Sequence, residues 1–506
     1  MHHVKGEHRN QMFMLSLESS VAADSFVRAI DAFVDAIDLK SFGFKNVDCG
    51  EEGRPPFHPS VLLKLYLYGY KYGIRTSRKL EREAQLNIEA MWLLSSQQPK
   101  YHTIADFRKQ YKKAFREIFR KFVYLLKEWE LIGGETIGVD SFKIRAQNSL
   151  KNNYNQKKIE RHLAYIDEKI SEYEKALDAS DNQEDKIALE AKINHQKGKQ
   201  ENYFQLQETL LMSGEEQISL TDPDSKAVIL LRNIVNVGYN IQSSIDAKNK
   251  LLVAYETGSV NDTRALSGIA LESKELLQVD KIDVLADKGY HTGEEIKICQ
   301  ENGITTFVSP KAPSTKDIGL YPVTSFSYNK ENDTYTCPAG STLHTKGNWY
   351  KHSSDVRGQT GAYKFKRYIT SQCKGCSQRH KCTVGERNGR AIDRSEYADA
   401  IETNAQRVNQ NPDYYRQRQE ITEHIFGTLK RQRGFTFTLV KGKEMVLGEV
   451  GLMFIGYNLG RCASILGLPE LIKELRECCL LIILIKNRLF LSEISVSIFH
   501  DEKFAA

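Results

Sequence analysis

The feature that most constrains this chain is a change of period inside a sheet pattern. Residues 135–147, ETIGVDSFKIRAQ, alternate as a strand, a tight turn and a second strand. From Ile159 the apolar positions are Ile159, Leu163, Ile166, Ile170, Tyr173 and Leu177, alternately four and three apart, which is a heptad seam. Strand patterns return in NVGYNIQSSIDAKNKLLVAYETG, two strands around an Asp-Ala-Lys-Asn-Lys turn. A Lys-, Glu- and Gln-rich heptad segment between strands reads as a helical hairpin, 151–212, inserted into a sheet domain. The seam can close within the hairpin or against a second chain.

The sheet pattern occupies 131–150 and 213–324. Asp262 is expected to cap the helix TRALSGIALESKELLQ. KIDVLAD is then a strand, EEIKICQENG a helix with a Gly stop, and TTFVSP another strand. Strands and helices in this order make a mixed α/β sheet, α+β over the whole chain. Residues 1–130 read as helical, with Thr103 and Asp106 spaced as a capping box before the last helix. Arg75, Arg78, Lys79 and Arg82 around a short turn fit a helix-turn-helix DNA reader or a bundle with a solvated basic face. A Cys-rich stretch fills 325–395, helices resume over 396–470, and 471–506 is an apolar tail.

With 506 residues, two to four domains are expected. The net charge of +6 permits nucleic acid without demanding it, but Arg108–Lys127 is densely basic with interleaved aromatics, and Lys430, Arg431 and Arg433 form a second cluster. The N-terminus lacks the apolar core of a signal peptide, and CCLLIILI, from Cys478, is too short to span a membrane. Nine cysteines without a secretory signal point to a reducing cytoplasm.

Three acids stand out by position. Asp140 ends ETIGVD, Asp287 ends KIDVLAD, and Glu423 lies on the helix after the Cys-rich region. Carboxylates at neighbouring strand ends plus one from a helix can hold two divalent ions about 3.5–4 Å apart. Hard cations such as Mg²⁺ take oxygen ligands and keep open water positions. An Asp at a strand end is by itself more often a cap. Asp246, Asp283, Asp222 and Asp224 are read as turn or strand-face residues, and Glu420 is the rival to Glu423.

In company these acids resemble the DDE transposases of bacterial insertion sequences. The matching stretches are GVDSFKIRAQNS from Gly138, the Asp-x-Gly-Tyr of Asp287, Gly289 and Tyr290, and EHIFGTLKR, in which Glu423 and Lys430 keep the family spacing. RPPFHPSVLLKLYLYGYKYGIRTSRKLE extends the likeness N-terminally and favours DNA binding by Arg75, Arg78 and Lys79. The resemblance implies an RNase H-like catalytic core with Asp140, Asp287 and Glu423 as ligands of two Mg²⁺ ions, Mn²⁺ substituting. It places Tyr290 and Lys430 against DNA. The family's Arg stands four before the Glu, where this chain has Gln419. Arg418, which keeps its spacing to Tyr415, is the phosphate contact available.

Cys337, Cys373, Cys376 and Cys382 fall in YTCPAG…SQCKGCSQRHKC, which suits a structural Zn²⁺ site or a set of reduced buried thiols, with His344 or His380 able to replace one ligand. Cys49, Cys299, Cys462, Cys478 and Cys479 are read as packing residues. The implied protein is a cytoplasmic, nucleoid-associated transposase. It cuts double-stranded DNA at terminal inverted repeats and joins the ends to target DNA, working as a homodimer on DNA and away from membranes. The alternatives are a nuclease that cleaves without joining, or a DNA-binding relic with dead chemistry.

Overall fold

The structure, a computed structural model, describes residues 10–12, 14, 16–48, 55–229, 234–258, 261–311, 319–352, 362–384 and 389–478. Cys49, Cys479 and the tail from 479 lie outside the described residues. The chain forms two compact units, Met1–Leu131 with Ile425–Ala506, and Ile132–His424.

The first unit is helical: α1 (Leu17–Ser20), α2 (Phe26–Asp35), α3 (Pro59–Tyr72), α4 (Ser77–Leu86), α5 (Ile88–Leu93), α6 (Tyr101–Gln110), α7 (Lys112–Glu128) and the helix Lys443–Leu466. α3 begins with Pro59 behind the His58 cap and ends at Gly73, whose φ of 75° only glycine adopts without strain. The expected single helix through 103–129 is instead two. Tyr111 leaves helical geometry at the junction, and its ring packs on Phe44 and Phe107. Thr103 and Asp106 do not form a cap, because α6 already starts at Tyr101. Packing around Tyr111 therefore overrides the local pattern.

Helix Lys443–Leu466 is buried on nearly every face, as its all-round apolarity requires. It carries one buried charge, Glu449. That carboxylate accepts from Arg75 Nη1 at 3.0 Å, Tyr70 Oη at 3.1 Å and the Leu439 N–H at 2.9 Å. Among the described residues no single helix is long and apolar enough to cross a membrane; Lys443–Leu466 and Leu468–Cys478 pass only together and are bent by 117°.

The second unit is built on a six-stranded mixed sheet. Its strands are β1 (Thr136–Arg145), β4 (Lys226–Ile229), β5 (Val235–Asp246), β6 (Leu252–Thr257), β7 (Ile282–Ala286) and β8 (Ile304–Val308). The order is β4-β5-β1-β7-β8, with β6 also on β5; β1, β7 and β8 are parallel and β5 is antiparallel to β1. This bears out the α/β reading. β1 runs unbroken through Arg145, so the expected turn after Asp140 is absent; pairing with β5 on one side holds the strand straight past it.

Helices α10 (Leu266–Leu277), α11 (Gly293–Glu301), α12 (Ala398–Gln410) and α13 (Pro412–Gly427) belong to this unit by residue range up to His424. The inserted hairpin is α8 (Gln156–Asp178) against α9 (Gln183–Ser213). It stands on the short ladder β2 (Asn153–Asn155) with β3 (Gln217–Ser219). Ile159, Leu163 and Leu210 bury together at its base, so the seam closes within the hairpin there. A second antiparallel sheet, β9 (Ser327–Asn329), β10 (Thr334–Thr336), β11 (Thr342–His352), β12 (Tyr363–Ile369) and β13 (Ile392–Ser395), forms the Cys-rich insertion around Tyr335, Leu343, Tyr368 and Ile392.

Candidate active site

Two of the three acids meet through strand register. β1 and β7 are parallel with Val139 opposite Ala286, which makes Asp140 and Asp287 the next facing positions. Neighbouring strands lie about 4.8 Å apart, so the two carboxylates share one site. Asp140 is mid-strand; Asp287 ends β7 and caps the following 3₁₀ turn, its Oδ1 accepting the Gly289 N–H at 2.7 Å. A Cβ on Gly289 would sit 2.8 Å from that oxygen, which is why glycine stands there.

α13 packs against β1 beside this pair. Gly138 makes the approach possible, since a Cβ on it would lie 2.8 Å from Ile421 Cγ2 and 3.1 Å from Thr422 Cγ2. Tyr414 Oη donates to Asp283 Oδ2 at 2.9 Å, and Tyr415 Oη to the Ala286 carbonyl at 3.2 Å, which anchors the helix on β7. Arg418 Nη1 stands 3.5 Å from Asp140 Oδ2, and the Ser141 N–H donates to Asp140 Oδ1 at 2.8 Å. Burial and the adjacent Asp287 charge push the Asp140 carboxyl up to about 6, against the pull of Ser141, Arg418 and Thr422. An apolar setting and a like charge both disfavour the ionised form, which a bound cation would restore.

Glu423, one residue past Thr422, is exposed. Its rival Glu420 is exposed too and pairs with Lys250 at 3.1 Å, so it does not reach Asp140. Among the described residues no three His, Cys, Asp or Glu side chains stand in metal-holding geometry. The donor types nonetheless suit a hard divalent cation.

Several expected DNA contacts are placed otherwise. Tyr290 is fully buried, and its hydroxyl bonds to Gln242 Oε1. A ring enclosed by the sheet cannot stack on DNA. Burial, with the charges of Asp262, Asp140 and Asp287, holds its hydroxyl protonated. Arg75 is buried, bonded to Glu449 and to the Phe437 carbonyl at 2.8 Å, so it is a core residue of its unit. Arg418 faces Asp140 rather than open surface. The seven-residue spacing of Glu423 and Lys430 is not two α-turns: α13 ends at Gly427, and Lys430 lies in the π-helical turn Thr428–Gln432. Arg78 and Lys79 are exposed on α4.

The sequence reading missed Asp262. It does not cap α10; Asn261 caps a 3₁₀ turn, Asp262–Arg264. Asp262 Oδ1 accepts from Asn240 Nδ2 and Gln242 Nε2, both at 2.8 Å, and its Oδ2 faces the Gly289 position across from Asp287. Half-buried Asp262 and the buried Gln242 and Tyr290 thus form one hydrogen-bonded chain beside the paired acids. The polar residues Asn240 and Gln242 inside a strand were the available signal. Asp246 is the turn residue expected, accepting the N–H groups of Gly133, Gly134 and Lys248.

Cys337, Cys373, Cys376 and Cys382 line one small cavity with Phe326 and Leu343. Burial and the other three thiols push the Cys382 thiol up. All four are free thiols; His344 and His380 are exposed and do not line the cavity. Cys299 and Cys462 are buried packing residues.

Comparisons with known proteins add the family. A transposase domain (DUF772) matches residues 15–110, and a transposase DDE domain matches residues 336–463. The second match takes in the four cysteines of the insertion and Glu423. No curated protein matches. The piggyBac transposase synaptic complex with hairpin DNA is similar over 90% of this chain and 77% of its own, at 10% identity and a TM-score of 0.31. The chain thus carries two transposase domains in order, the second of the DDE type.

Proposed function

We propose that the protein cuts DNA at the terminal inverted repeats of its own element and joins the freed ends to target DNA. The observation that carries this is Asp140 facing Asp287 on adjacent parallel strands, with α13 locked beside them. Asp140, Asp287 and Glu423 would hold two Mg²⁺ ions, with Mn²⁺ able to substitute. Such ions, when bound, lower the pKa of an attacking water or hydroxyl and stabilise the leaving oxygen of the phosphodiester. The chain's own part is positional. The strand register sets the two Asp carboxylates side by side, Arg418 tempers the charge on Asp140, and the hydrogen-bonded chain Asp262–Gln242–Tyr290 fixes the Asp287 turn from beside it.

Arg78, Lys79 and Lys430 are the proposed phosphate contacts, and double-stranded DNA is the partner. A pair of DNA ends calls for two chains, so a homodimer on DNA is part of the proposal. The thiols of Cys337, Cys373, Cys376 and Cys382 are the donor type that a structural Zn²⁺ takes, and such an ion is part of the proposal, though the four do not stand in metal-holding geometry here.

The test is cleavage and joining of a duplex bearing the terminal repeat, with Mg²⁺, for the native protein and Asp287→Asn. The expected result is cleavage plus joining in the native protein alone, with DNA binding kept in both. Cleavage without joining would make the protein a nuclease, and binding with no activity in either would make it a relic. Equal activity in both would remove Asp287 from the site.

A further inference from the structure

In the helical unit two cations lie side by side with no carboxylate ion pair among the described residues. Lys71 lies in the last turn of α3, and Arg433 follows the π-helical turn. Their tips meet at one place: a Cβ on Gly460 would lie 2.7 Å from Lys71 Nζ and 3.4 Å from Arg433 Nη2. One turn earlier, a Cβ on Gly456 would lie 3.5 Å from Arg433 Nη1 and 3.7 Å from the Lys71 backbone nitrogen. Two glycines four apart thus open one edge of helix Lys443–Leu466 to both cations.

Their remaining contacts are neutral. Arg433, only 8% exposed, donates Nη2 to the Gly456 carbonyl at 3.2 Å and points Nη1 at Met453 Sδ, 3.9 Å away. Its guanidinium lies 5.8 Å from the Tyr457 ring, and half-buried Lys71 Nζ lies 4.1 Å from the Phe26 ring. Elsewhere in the same unit Arg75 meets Glu449, Lys64 meets Asp31 and Asp35, and Arg28 meets Glu18, while the buried Arg108 bonds to the Tyr70 hydroxyl and the Arg75 carbonyl; Lys71 and Arg433 differ in being two cations side by side.

Buried charge is normally paired, because desolvation is otherwise uncompensated. The C-terminal end of α3 supplies roughly half a negative charge, against two full positive ones. Burial lowers Lys71 to about 8, helped by the Arg433 charge, and lowers Arg433 to about 10. An arginine fork beside a lysine point charge is the donor set of a phosphate site.

We propose that Lys71 and Arg433, above Gly456 and Gly460, bind a phosphate group. In the working protein that group is a DNA phosphodiester, a source that rests on the transposase reading; binding of inorganic phosphate does not depend on it.

The experiment follows the melting temperature of the full chain in sodium phosphate and in sodium chloride of equal ionic strength. The proteins are the native chain, Lys71→Met, Gly460→Ala, and Lys113→Met as an exposed control. Phosphate should raise the native and Lys113→Met melting temperatures saturably and leave Lys71→Met unmoved. Gly460→Ala, whose methyl group displaces the Lys71 tip from beside Arg433, should weaken the effect without removing either charge, and serves if Lys71→Met does not fold. No phosphate-specific rise in the native protein, or an undiminished rise in Lys71→Met, overturns the site. In duplex binding, the slope of log affinity against log salt should fall by about 1 in Lys71→Met. An unchanged slope with a lost phosphate effect overturns the DNA source alone.

Discussion

At the scale of the residue, the site depends on polar groups placed beside the two Asp carboxylates. Asp262 holds Gln242, and Gln242 holds the hydroxyl of buried Tyr290, which follows Gly289 in the same turn. Replacing Asp262 by Ala leaves the amides of Asn240 and Gln242 without their acceptor. We expect Asp262→Ala to weaken Mn²⁺ binding at least tenfold, read by calorimetry on the protein without DNA, while the chain stays folded. Unchanged Mn²⁺ affinity would reduce Asp262 to a packing residue. In the Cys-rich sheet, Asp333 accepts from Lys366 at 2.7 Å, Tyr328 at 2.8 Å and Tyr368, and these partners, Lys366 foremost, lower its carboxyl to about 2. A depressed carboxylate stabilises the fold above its unfolded value near 3.8 and loses that contribution as pH falls through about 2. Asp333 is partly exposed, so after solvent screening the contribution is about 1 kcal/mol. Asp333→Asn should cost that amount at pH 7 and close to nothing at pH 2, measured by denaturant unfolding at both values.

At the scale of the element, α13 is seated by what β1 lacks. Gly138 has no Cβ, and Ile421 and Thr422 fill the space. Gly138→Ala would force the helix outward or the strand inward, at about 1–3 kcal/mol for overpacking. The expected outcome is a folded protein with a lowered melting temperature and at least a tenfold loss of Mg²⁺-dependent cleavage, because Thr422 and Arg418 shift against Asp140. A variant with native cleavage would show that the seat of α13 is not critical. Elements also explain where local pattern failed. The helix expected through 103–129 divides because Tyr111 turns into an aromatic cluster, and the two strands expected over 135–147 are one because β5 pairs along the whole length.

At the scale of the whole molecule, the helical hairpin is an appendage on a two-strand stem. Its base buries Ile159, Leu163 and Leu210, while Phe204, Leu211 and Met212 of α9 remain exposed. Joining Asn155 to Gln217 by a short Gly/Ser linker should keep the β2–β3 ladder and leave the sheet's melting temperature within a few degrees. If the hairpin joins two chains on DNA, this deletion should convert the complex with paired ends to a single-chain complex, read by light scattering. A paired complex that survives would place the dimer contact elsewhere.

The mixed sheet, the hairpin insertion, the Cys-rich insertion and the identity of Asp140, Asp287 and Glu423 as candidates were legible in the sequence, because period, interruption and local motif are properties of neighbouring residues. The fate of long-range partners was not. Tyr290 and Arg75 sit in motifs that suggest DNA contact, yet each is buried by residues far off in the chain, Gln242 for one and Glu449 for the other. Asp262 reads locally as a helix cap, and only the fold brings it to Gly289 and Asp287. Lys71 and Arg433, 362 positions apart, meet only because two glycines on one helix leave them room. Sequence alone determined which chemistry the chain carries. Tertiary structure decided which charged groups face one another, because burial and pairing depend on distance in space rather than along the chain.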